Sequence, residues 1–117
     1  MARKLIPDTL GLRAIQSYIY GDEMELATAV RYLLQLMENR YPGGSVELRV
    51  PPYGAIQCIE GSNHKRGTPS NVVELGAAEW VQLATGRTTF EQLLNAGKLQ
   101  ASGNRSDLAG LFPIFES

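Results

Sequence analysis

A chain of 117 residues with 44% apolar and 20% charged side chains suits one packed domain, spanning 1–117, and is too short for two. Its net charge of −1 argues against a nucleic-acid surface, which carries a clear basic excess, and a single cysteine rules out an intrachain disulfide. No run approaches the roughly 18 apolar residues of a membrane-spanning helix. The start, Met1 to Gln16, has a basic pair at Arg3 and Lys4 but no unbroken apolar stretch before a small-residue cleavage site, so it reads as a poor signal peptide. The expectation is a soluble, cytoplasmic protein without an integral membrane segment.

Asp8, after Pro7, is placed to cap a first helix with Leu12, Ile15 and Ile19 on one face, which Gly21 ends or bends. Asp22 and Glu25 have the spacing of a capping box. Behind them Leu26, Val30, Leu33, Leu34 and Met37 recur at helical spacing until Tyr41-Pro42-Gly43-Gly44 stops the run. From Ser45 the period becomes two: Val46, Leu48 and Val50 alternate with Glu47 and Arg49, predicting a half-buried strand over 45–50. Ala55 to Glu60 reads as a second strand, with Ile56 and Cys58 on one face and Ala55, Gln57 and Ile59 on the other. Both of its faces are apolar enough to predict a central strand or one covered on each side. A third strand is expected at Asn71–Leu75, and the connections on either side of the second suit antiparallel neighbours.

Helical spacing returns at Ala77, Trp80, Val81 and Ala84, with Gly86 at the exit. Thr88 and Glu91 form a capping-box pattern for the next helix, whose Phe90, Leu93 and Leu94 are expected to face inward, and Gly97 closes it. Lys98–Ser102 alternates, with Leu99 and Ala101 inward, and predicts a late strand. Ser106 or Asp107 can cap a last helix that Pro113 interrupts, leaving Ile114 and Phe115 as an apolar tail. Helices, a strand meander, helices and one returning strand make an α+β arrangement.

Catalytic material is scarce. The one cysteine, Cys58, alternates with Ile56 and reads as a small buried apolar residue. The one histidine, His64, sits in a polar loop, Gly61 to Ser70, and reads as an exposed imidazole. Together they lack the third orienting group a thiol–imidazole pair needs, and carboxylates at zinc spacing are missing. That loop also fails as a phosphate cradle, because Arg66 stands where the second glycine belongs and no lysine follows Gly67. No enzyme, metal or cofactor is expected.

The segment Gly97, Lys98, Leu99, then Gly103, then Leu108 and Ala109, resembles the C-terminal hallmark of the sterol carrier protein type 2 family. The stretches Ala27–Gly61 and Arg66–Arg87 are similar to a stand-alone bacterial branch of that superfamily, so the resemblance covers nearly the full length. It implies a sandwich in which a mainly antiparallel five-stranded sheet is covered by helices, the fifth strand falling in the 61–70 loop. It also implies an apolar tunnel for a fatty acyl chain, an acyl-CoA or a sterol. A similar lobe of thiol-dependent maleylpyruvate isomerases keeps a second reading in view, an interaction or oligomerisation module with a collapsed tunnel that serves a partner enzyme or forms a homodimer. Two departures, one extra residue across Arg105–Asp107 and the break at Pro113, alter the last helix and with it the tunnel mouth.

For noncatalytic binding of an apolar ligand, the candidate lining is apolar and on inward faces. It comprises Ile56 on the sheet, with Trp80 and Leu83 on one helix and Phe90 and Leu93 on the next. Leu108, Leu111, Phe112 and Phe115 complete it from the C-terminal segment. Burying a chain of roughly 16 carbons at about 0.8 kcal/mol per methylene gives about 12 kcal/mol gross. Association costs of at least ~4 kcal/mol reduce that to an ordinary affinity, without any charged anchor.

Overall fold

The computed structural model describes residues 4–61, 71–104 and 106–116. After an extended N-terminal strap come α1 (Asp8–Ile19), a single 3-10 turn (Glu23–Glu25) and α2 (Leu26–Arg40). Strands β1 (Val46–Val50), β2 (Gly54–Cys58) and β3 (Asn71–Leu75) precede α3 (Ala77–Ala84), α4 (Phe90–Asn95) and β4 (Leu99–Ser102). A 3-10 turn, Ala109–Leu111, stands in place of the expected last helix.

The sheet is open and mixed, with order β2-β1-β3-β4. β1 pairs antiparallel with β2, parallel with β3, and β3 pairs antiparallel with β4. Two expectations are corrected here. Four strands, not five, make up the described sheet, and all but Gly61 of the 61–70 loop lies outside the described residues. β2 and β3 are not neighbours, because the chain reverses once into β2 and again before β3, which then lies on the far side of β1. Two reversals make β1 and β3 parallel, and the segment linking β2 to β3 is long enough for such a crossover.

Alternation decides which sheet face is dry. Ile56, Leu48, Val73 and Ala101 are cross-strand partners in one inward row, flanked by Cys58 with Val46 and by Leu75 with Leu99. The opposite face carries Gln57, Glu47, Arg49, Glu74 and Gln100, with Arg49 bonded to Glu47 at 2.9 Å. Contrary to the expectation of a central strand or of cover on each side, β2 lies at the sheet edge, and its Ala55 and Gln57 are exposed, so that strand has one buried face. Its outer residues are small or polar, and their burial would bring little stabilisation.

Helix α2 fills the inner side with Val30, Leu33, Leu34 and Met37, as the spacing predicts, adding Ala29 and Tyr32. Asp22 caps the preceding 3-10 turn through Met24 N–H rather than α2 itself. α1 packs outside α2 on Gly11, Ala14 and Ile15, a face rotated from the expected one, and leaves Leu12 42% exposed. The capping box of α4 sits one residue later than expected, at Thr89 and Gln92, with both reciprocal bonds at 3.1 Å. That shift buries Phe90 and Leu93 but turns Leu94 out to 44% exposure. Gly97 ends α4 at φ 74°, its N–H on Leu94 O and that of Lys98 on Leu93 O.

Candidate functional site

A groove of about 880 Å³ opens between the N-terminal strap, α2 and the start of β2. Its wall on α2 consists of Thr28, Arg31, Gln35 and Glu38, spaced three and four residues apart and therefore stacked along one helix face, with Asn39 at the end. Leu34, fully buried, forms the apolar floor. Tyr53, Gly54 and Ala55 close one side, and the strap residues Lys4 to Pro7 with Leu10 form the other. At Gly54 an added Cβ would stand 3.3 Å from Leu34 Cδ1, so glycine lets the strand approach the floor.

The strap has no regular structure of its own, and two side chains of α2 hold it. The Gln35 amide binds the backbone of Ile6 on both sides: Ile6 N–H donates to Gln35 Oε1 at 2.9 Å, and Gln35 Nε2 donates to Ile6 O at 3.0 Å. One turn away the Tyr32 hydroxyl donates to Asp8 Oδ1 at 2.7 Å. Asp8 thus anchors the first turn to α2 instead of capping its own helix. Gly11 lies flat on the Tyr32 ring, where any Cβ would overlap the ring atoms. Burial pushes the Tyr32 phenol up to about 12, and the bond to Asp8 and its charge add to the shift.

The groove has a polar rim of mixed sign. Arg31 is set by two contacts with Tyr53: its Nε donates to the Tyr53 carbonyl at 3.1 Å, and its guanidinium lies 5.9 Å from the ring centroid. Among the described lining residues Lys4 is the second cation and Glu38 the carboxylate. Behind Glu38, burial first and the Glu38 charge second push the Cys58 thiol up to about 11, which leaves it a neutral core group at ordinary pH.

The nine residues singled out from the sequence assemble elsewhere. Ile56, Trp80, Leu83, Phe90, Leu93 and Leu108 are buried in one continuous core, and Leu111, Phe112 and Phe115 pack against it partly buried. Trp80 is fully enclosed; its indole N–H donates to Val30 O at 3.2 Å and its ring meets Phe112 edge-on at 5.9 Å. The tail docks on the end of α3, where the N–H groups of Ile114 and Phe115 both donate to Ala84 O at 3.0 Å. None of the nine lines the groove. Among the described residues no cluster of three or more metal-donor side chains occurs, and His64 lies outside them.

The family model described as bacterial SCP ortholog matches residues 22–114, which takes in α2, the whole described sheet, α3, α4 and the C-terminal turn. The chain belongs to the bacterial SCP ortholog family. A search of curated proteins finds no match. The family match starts after Gly21, so the strap and α1, which supply one wall of the groove, lie outside the matched residues. No helix among the described residues is long and apolar enough to cross a membrane.

The groove residues were not among those the sequence singled out. Arg31, Gln35 and Glu38 read as the solvated face of α2, and nothing local says that a strap returns across them. The one available signal is Leu5-Ile6-Pro7, two apolar residues and a helix breaker directly before α1.

Proposed function

We propose that this protein binds a lipid or other apolar ligand without catalysing a reaction on it, as membership of the bacterial SCP ortholog family suggests. The observation that carries the reading is the groove of about 880 Å³, which has an apolar floor and falls within the roughly 300–1,000 Å³ typical of small-molecule sites. Ile6, Pro7 and Leu10 offer apolar surface over the buried Leu34, and the polar side chains of α2 stand beside it, as amphiphile binding requires. The ligand class is a fatty acyl chain, an acyl-CoA or a sterol-like molecule. The buried set around Trp80 is the wall that a longer ligand would meet on passing between helices and sheet. Native mass spectrometry of gently purified protein tests the reading. A copurified lipid that Ala55→Trp displaces supports it. No bound lipid, together with no rise in melting temperature on adding acyl chains or sterols, overturns it.

A second reading, an interaction module forming a homodimer or serving a partner enzyme, draws on the exposed Leu10 and Leu12 of α1 and on Met24 beyond it. It predicts concentration-dependent association that Leu12→Glu abolishes, measured by light scattering after gel filtration.

A further inference from the structure

Resting on the carrier reading of the groove, we infer that Arg31 makes this site selective for a single-chain amphiphile with a terminal carboxylate, over uncharged or sterol-like molecules. Three observations point there. First, Arg31 is already oriented: Tyr53 takes up its Nε through the backbone carbonyl and supports the guanidinium plane with the ring. That leaves both terminal nitrogens for a ligand, and among the described residues no carboxylate pairs with them. A planar fork with one edge fixed and the other open matches the two oxygens of a carboxylate.

Second, the fork stands beside apolar surface of the right shape. Leu34 is the floor next to it on α2, with Leu10 and Ile6 across the groove. A head bound at Arg31 therefore has apolar side chains nearby for its chain, in a groove of about 880 Å³. Third, the described lining charges favour an anionic head. Among the described lining residues the cations are Lys4 and Arg31 and the carboxylate is Glu38, on a chain of net charge −1. The strap clamp between Gln35 and Ile6 lies one turn along α2 from Arg31.

The test compares laurate with dodecanol, which share a chain and differ in the head, each below its micellar concentration, by isothermal titration against the full-length protein. The wild type should bind laurate about tenfold more tightly than dodecanol, as expected for a charge-assisted bidentate contact at a partly exposed site. Arg31→Gln should remove that difference by weakening laurate alone, and Arg31→Lys should recover part of it, because the charge returns without the fork. Ala55→Trp, an exposed groove position, should weaken both ligands together. Equal binding of laurate and dodecanol to the wild type, both blocked by Ala55→Trp, would overturn the role of Arg31 and leave the carrier reading standing. No binding of either ligand would overturn both. Equal weakening of both by Arg31→Gln also overturns the inference, since it would show Arg31 serving only as a groove wall.

Discussion

Gly11→Ala gives a test in which helix propensity and tertiary packing predict opposite signs. Gly11 sits inside α1, where replacing glycine by alanine stabilises an exposed helix by about 1 kcal/mol. Here the new methyl would overlap the Tyr32 ring, which is buried, belongs to the central helix α2 and is held at its far end by Asp8. The ring cannot swing away without giving up that bond, which contributes about 1 kcal/mol. Overpacking of this kind costs typically about 1–3 kcal/mol. Setting these losses against the propensity gain, Gly11→Ala should lower stability by about 1–3 kcal/mol. Urea unfolding followed by the fluorescence of Trp80, the only tryptophan, measures the global change, and amide exchange in α1 detects local detachment of that helix. Gly11→Ala combined with Tyr32→Leu should recover most of the loss by making room. A variant more stable than wild type, with unchanged protection of α1, would refute the packing argument.

The remaining expectations concern other elements. Thr89→Ala should cost about 1 kcal/mol by removing the cap of α4, while Thr88→Ala, which loses only an exposed bond to Gln92, should cost far less; thermal unfolding of the two variants locates the box. Gly97→Val should destabilise through backbone strain at φ 74°, and since open space surrounds that position, a loss of solubility without a fall in melting temperature would argue against strain. The raised Tyr32 pKa makes the folded state hold its proton longer than the unfolded chain. Its contribution is therefore complete below about pH 10 and is lost as pH rises toward about 12, and Tyr32→Phe should flatten stability-versus-pH curves over that window. Cys58 should resist alkylation at pH 8 in the folded protein and react fully in denaturant, since it is both buried and held neutral.

Periodicity by itself determined most of the element order. The apolar repeat of α2, the alternation of β1, β3 and β4, and glycines at Gly21, Gly86 and Gly97 are local signals, because each reports which side of one segment must leave water or where a backbone must turn. All three of those glycines have positive φ. The order of motifs around Gly97 and Leu108 likewise sufficed to suggest the family. Choices between near-equal local alternatives went to tertiary structure. Thr88 and Thr89 are equivalent as caps until packing demands that Phe90 and Leu93 point inward together, which leaves Leu94 outside. β3 could have lain beside β2 or β1, and alternation is blind to that choice because it specifies a face and not a neighbour. The groove is the clearest case. Gln35, Arg31 and Tyr53 carry ordinary surface chemistry, and they line one groove only because the chain is bonded across α2 at Ile6 and Asp8 while Gly54 lets β2 come close to Leu34. Contacts between residues twenty or more positions apart leave no period in either segment, so folding alone brings them together.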